Sequence, residues 1–205
     1  MKYSIKNIDF LKITLKDGSE KKYSYGLSQE WYKHFIQVLA GCGATVAATI
    51  YIYELQKNNY KQYDEKNCLI FMEILWEYLT PGFRGLNSTK MFTNGFSSFL
   101  KDNNLSYECK LLDLSPKNKK EFNEVVDFIK SSLEDDIPIA FLNLCNGEEK
   151  NLDKWHWVTI ISLIIENDNY FVEILDDTEI KKIDIKMWYK TFKNNGGLIS
   201  FKIKS

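Results

Sequence analysis

Two residue types that together can break an amide bond stand far apart in this chain. Cys42 lies between two glycines in GCGATVAATI, Gly41 to Ile50, and His156 follows 114 residues later (156 − 42) in WHWVTIISLII, residues 155–165. A thiol becomes a strong nucleophile only when a nearby base takes its proton and a third group holds that base. A helix N-terminus favours negative charge, so a cysteine on the first turn of a helix is well placed to ionise. The plainer alternative is an inert thiol packed as a small hydrophobe at a tight turn. Two acids compete for the third role, Asp176 and Asp177, at the end of the strand that follows the histidine. Neighbouring strand side chains face opposite ways, so only one of the two shares a face with His156. A two-residue hairpin loop within Glu166–Asn169 puts Asp177 there, whereas a three-residue loop or a bulge puts Asp176 there. The same alternation turns His156 away from both flanking tryptophans, Trp155 and Trp157, which can pack into the core or roof the site.

The elements that must hold these groups follow from periodicity. KYSIKNI, FLKITLK and SEKKYSY read as strands, giving residues 1–27 the form of an N-terminal strand and hairpin extension with a tight turn at Asp17-Gly18. From Ser28 the spacing of Trp31, Phe35, Val38 and Leu39 predicts a helix ended by Gly41, with His34 inside it in a structural or exposed role. Ala44 to Leu55 predicts a helix buried on most of its circumference. Cys68 to Leu79 predicts another, and Ser88 caps a fourth that carries Phe92, Phe96 and Phe99. In the second half, Tyr107 to Leu112 reads as a strand and Ser115-Pro116 as the start of a helix with Phe122, Val125, Val126 and Ile129 on one face. IPIAFLNL (137–144), residues 155–165, YFVEILD (170–176), EIKKIDI, a segment around Trp188 and GLISFKIK complete the pattern. Helices come first and mostly antiparallel strands later, the signature of an α+β fold, here as one domain over residues 1–205.

Composition narrows the function. With 205 residues, 44% hydrophobic and 15% aromatic, the chain is expected to fold as an ordered globular domain. Its 27 basic and 28 acidic residues leave a net charge of −1, which argues against a nucleic-acid partner. The lysine-rich run from Pro116 to Lys120 reads as a solvated helix start. Charges interrupt every apolar run near the start, and the most apolar stretch, Ala40 to Tyr53, stops short of the ~20 residues that span a bilayer. The expectation is a cytoplasmic protein without a membrane partner. Four cysteines without a C-x-x-C pair, and only two histidines, suggest neither a zinc site nor a disulfide framework, so no metal or cofactor is expected. Cys68 and Cys145 lie in apolar runs and are expected in the core, while Cys109 is left open.

Together, Gln37, Cys42 in GCG, IPIAFLNL, and WHWVTI followed by ILDD resemble the papain-like cysteine peptidase superfamily over roughly residues 28 to 200. The similarity is to its small bacterial branch, related to the peptidases that process bacteriocins behind double-glycine leaders, and clostridial members look similar further afield. The resemblance implies a papain-like fold, with a central cysteine-bearing helix packed on an antiparallel sheet, and a peptide or protein substrate. It implies Cys42 as nucleophile and His156 as the base that later protonates the leaving amine. Family members keep an even separation between histidine and acid, which favours Asp176 (176 − 156 = 20). It also implies Gln37 as an oxyanion donor beside the backbone N–H of Cys42. Two departures stand out. Gln37 precedes Cys42 by five residues where papain-like enzymes usually leave six, and Ala44 replaces a proline that many relatives carry. The function implied is a cysteine peptidase working through a Cys-His-Asp triad. The same residues would serve an acyl transferase, and the same cleft a noncatalytic peptide-binding module. Oligomeric state is not legible.

Overall fold

The computed structural model describes residues 1–17, 20–117 and 120–204. The strands are β1 (Lys2–Ser4), β2 (Lys12–Asp17), β3 (Glu20–Tyr25), β4 (Ser106–Leu114), β5 (Ile139–Asn143), β6 (His156–Glu166), β7 (Asn169–Asp176), β8 (Glu179–Asp184) and β9 (Gly196–Lys204). The α-helices are α1 (Phe35–Ala40), α2 (Cys42–Asn58), α3 (Glu65–Tyr78), α4 (Thr89–Asp102), α5 (Phe122–Glu134) and α6 (Ile185–Thr191). This is an α+β fold with helices packed on an antiparallel sheet.

The main sheet runs β4-β9-β5-β6-β7-β8, with β1 added on β6, and every neighbouring pair is antiparallel. Strand β6 is shared along its length: β5 pairs its first half, His156 to Ile160, and β1 pairs Ser162 to Ile164. Alternating side chains of the central strands dress its two faces. Trp157 stacks on Phe92 of α4 at 4.6 Å, whereas Phe141, opposite Val158 on the other face, meets Trp188 of α6 at 4.7 Å. Among the described residues no helix is long and apolar enough to cross a membrane.

Helix α2 is buried almost all round, as its small residues foretell, with Ala44, Ala47, Ala48, Ile50, Ile52 and Tyr53 in the core. Alanines let the sheet and α3 approach closely. Its core threonines bring their own partners: Thr45 Oγ1 donates to Gly41 O and Thr49 Oγ1 to Thr45 O, both at 2.9 Å. Ser88 caps α4 as expected, its Oγ accepting from Met91 N.

Several elements differ from expectation. Residues 28–41 form no single helix. A one-turn 3-10 helix, Gln29–Trp31, gives way to extended backbone at Tyr32, and α1 starts only at Phe35. The cause is Tyr32, whose ring is drawn into the core against Trp76 and whose hydroxyl donates to Met72 O at 3.0 Å. The register of the helix is thereby reset: Phe35 and Leu39 stand 74 and 65% exposed instead of buried, with Ile36 67% exposed beside them. His34 becomes the residue before α1, not a mid-helix one. Helix α5 begins at Phe122, not at Ser115-Pro116, because β4 continues through Leu114 and a capping box between Glu121 and Glu124 marks the true start. Ile8–Leu11 is a 3-10 turn, so the first strand ends at Ser4. Of the expected hairpin turn at Asp17-Gly18, Gly18 lies outside the described residues, as do Asn118 and Lys119 of the lysine run. Cys145 follows β5 in a loop and is half-buried, not in the core, because the strand stops at Asn143.

Candidate active site

A single residue, Gly41, separates α1 from α2, and Cys42 opens α2. Both glycines flanking the thiol are required by close approach. A Cβ at Gly41 would lie 2.5 Å from the Tyr32 ring, and one at Gly43 would strike the Leu86 side chain. Leu86 is held in turn by Trp157, whose Nε1 donates to Leu86 O at 2.6 Å. The residue chosen for minimal bulk on either side therefore sits in a tight joint between α1, α2 and the loop before α4. The Cys42 side chain itself is half-buried. It lies on the first turn of α2, where helix N–H groups without intrahelical partners can receive an oxyanion.

His156 is the first residue of β6. Trp155 before it takes a left-handed backbone (φ 57°) and leaves its indole exposed, while Trp157 is buried. The imidazole is 13% exposed, and its Nε2 lies 2.7 Å from Asp176 Oδ1. That leaves Nδ1 free of the carboxylate, and Cys42 lines the same small cavity as the imidazole. Asp176 ends β7 and is buried; its other oxygen, Oδ2, accepts from Lys181 Nζ on β8 at 2.7 Å. The competing acid, Asp177, also lines the small cavity beside Cys42 and His156, but its carboxylate accepts from Ser28 Oγ at 3.0 Å and not from the imidazole.

Strand register explains the choice between the acids. The β6–β7 hairpin closes through a two-residue turn, Asn167-Asp168, both at positive φ (47° and 62°), with Glu166 opposite Asn169. That turn alone would place Asp177 on the face of His156. A bulge between Ile160 and Ser162 inserts one residue, and from there Thr159 opposes Leu175. One extra residue exchanges the faces, so Asp176 arrives beside the imidazole.

The charges are mutually supporting. Burial pulls the His156 imidazole toward its neutral form, but hydrogen bonds to Asp176 and Cys42, together with their negative charge, outweigh it and push its pKa up to about 10. Burial likewise works against the Asp176 carboxylate, and His156 and Lys181 overcome it, holding its carboxyl below the usual range. The buried thiol of Cys68, by contrast, is pushed up to about 12 by desolvation and by Asp64 and Glu65.

Cys42, His156 and Asp176 thus come together. Gln37 does not visibly join them: it is buried on α1, its amide oxygen lacks a hydrogen-bond partner, and it does not line the small cavity behind the three. Gln29 does line that cavity, and its amide oxygen is also buried and unpartnered. At about 20 Å³ the cavity holds one water-sized molecule, so a substrate must approach Cys42 from outside. A larger surface groove of about 960 Å³, bounded by Phe171, Lys182 and Met187, shares no lining residue with the triad cavity.

Sequence reasoning missed Gln29 and Lys181. Nothing in the periodicity marks Gln29, which falls within a helix that does not form. Lys181 was within reach: Asp177-Thr178 is a two-residue turn (φ 45° and 68°), which sets Glu179 opposite Asp176 and Lys181 on the same face two positions along. Among the described residues no group of three or more His, Cys, Asp or Glu side chains is arranged to hold a metal ion. Compared with known proteins, the chain matches no family model and no curated sequence.

Proposed function

We propose that this chain is a papain-like cysteine peptidase, a thiol hydrolase that cleaves a peptide or amide bond through an acyl-enzyme on Cys42. The observation that carries the reading is that Cys42, His156 and Asp176 line one small cavity at the N-terminus of a buried helix, with His156 Nε2 2.7 Å from Asp176 Oδ1 and Cys42 only half-buried. In this reading Cys42 Sγ attacks the carbonyl carbon and the C=O π electrons move to oxygen. The backbone N–H groups that open α2 stabilise that oxyanion. His156, held as imidazolium by Asp176, gives its proton to the leaving amine as the C–N bond breaks. Water then attacks the thioester, His156 takes its proton, and the acid product leaves with the thiolate restored. Gln37 enters this scheme as side-chain oxyanion donor only by the resemblance.

A second reading, a noncatalytic peptide-binding module, is favoured by a different observation. Phe35, Ile36 and Leu39 stand exposed on the short helix leading into Cys42. Burying such side chains stabilises a fold by about 1.5–3 kcal/mol each, so leaving three in water suits a surface that receives apolar residues of a peptide. Acyl transfer uses the same atoms as hydrolysis, with an amine or thiol in place of water.

The test is chemical and needs no known substrate. Iodoacetamide at neutral pH, followed by peptide mass spectrometry, should modify Cys42 at least about tenfold faster than Cys68 or the exposed Cys109. A Cys42 no faster than Cys109 removes the hydrolase reading and leaves the binding module.

A further inference from the structure

The acid of the triad is shared between two partners. Asp176 Oδ1 is bound to His156 Nε2 and Oδ2 to Lys181 Nζ, each at 2.7 Å. The carboxylate is sealed in, 3% exposed, while the Lys181 side chain is 30% exposed and reaches in from the β8 side. An ion pair on an open surface contributes little. Here the anion is buried against an imidazole, so the cation on its far oxygen acts at short range and with little screening.

Two physical effects follow. With both oxygens bound, the carboxylate cannot rotate freely about its Cβ–Cγ bond, so the plane that orients the imidazole is fixed. The ammonium also cancels much of the anion's charge. A bare buried carboxylate would hold the imidazolium proton tightly, whereas the neutralised pair accepts a hydrogen bond with a weaker pull, nearer to that of a neutral amide.

We propose that Lys181 is a positioning residue of this site, clamping Asp176 and tempering its hold on the His156 proton. This rests on the triad reading above. The titratable and charged groups facing the set are Cys42 from α2, Asp176 and Asp177 at the end of β7, Lys181 from β8 and Asp153 from the loop before β6, with Tyr32 on the far side of Cys42. Burial disfavours the Lys181 cation, but Asp176, and then Asp177 and Asp153, more than offset it, so Lys181 stays charged wherever His156 titrates.

The experiment is an NMR titration of the imidazoles in the full chain, which has only two histidines, so His34 serves as internal control. A Cys42→Ala background removes one of the two side chains that raise His156 and so lowers its midpoint. Adding Lys181→Met should move the His156 midpoint upward by about one unit, Lys181→Gln should do the same while keeping a donor on Asp176, and Lys181→Arg should restore the parent value. His34 should not move. An unchanged or lowered His156 midpoint in folded Lys181→Met or Lys181→Gln protein overturns the proposal, and the glutamine variant keeps it testable if the methionine variant does not fold. Alkylation of Cys42 in the unmutated protein is read separately. Slow Cys42 there defeats the hydrolase reading itself, whereas fast Cys42 with an unmoved His156 defeats only the role of Lys181.

Discussion

His156 binds Asp176 and leaves Asp177, its immediate neighbour in sequence, to Ser28. The single inserted residue of the β6 bulge makes that distinction, so the two acids should differ sharply in function although they differ in position by one.

Replacing Asp176 with asparagine should lower kcat by on the order of 10–1,000-fold, because the imidazolium loses its anionic partner. The same change at Asp177 should stay within about threefold, since Asp177 is exposed and its carboxylate accepts from Ser28 rather than binding the imidazole. Steady-state hydrolysis of a peptide substrate by both variants checks this, and equal losses would contradict the assignment.

The oxyanion donor can be decided between two glutamines. If Gln37 serves, Gln37→Ala should cost on the order of 100-fold in kcat with little change in KM. Gln29, which lines the cavity behind the triad, should then be nearly silent. The reverse pattern would transfer the role to Gln29. Losses in neither would leave the helix N–H groups as sufficient donors.

Stability should carry the imprint of the triad in its pH dependence. His156 has a folded-state pKa of about 10 against an ordinary 6.5, so the native state binds the extra proton between those values. Its contribution is therefore complete below about pH 6.5 and is lost as pH climbs toward about 10. Asp176 has the opposite sign: its lowered carboxyl contributes above the ordinary carboxylate range and is lost as pH falls through the folded value. Thermal melts of the unmutated protein and His156→Gln should differ most at pH 6 and converge toward pH 10. A constant difference across that range would refute the linkage.

The joint at Gly43 predicts a reciprocal pair. Gly43→Ala drives a methyl into Leu86 and should destabilise by about 1–3 kcal/mol. Adding Leu86→Ala to that variant should recover part of the loss, so the double mutant is less damaged than the sum of the two single changes. Chemical denaturation of all four proteins measures the coupling, and strict additivity would show that the two side chains do not meet.

Much of this architecture could be read from spacing. The β6–β7 hairpin shows itself in an apolar run, a polar turn and a second apolar run, and α2 in its unbroken small residues. The bulge at Ile161 leaves no local mark, because an apolar residue fits either side of a strand buried on both faces. Residues 28–41 misled for a related reason. Trp31, Phe35, Val38 and Leu39 have helical spacing, but one long-range demand, burial of Tyr32 against α3, overrides it. Proximity of Cys42 to His156 is a property of topology, so residues alone could nominate the pair without fixing their distance.

Strand β1 lies along the same strand that begins with His156, and Ser4 meets its partner Ser162, 158 positions further along the chain (162 − 4). On a ribosome adding about 5–20 residues per second, the 134 positions from Cys42 to Asp176 (176 − 42) take roughly 7–27 s. Throughout that interval the nascent chain carries its thiol, yet the carboxylate that would complete the proposed triad has not been synthesised. The chemistry proposed for Cys42 therefore has to wait until translation has passed Asp176 and the sheet has closed around it.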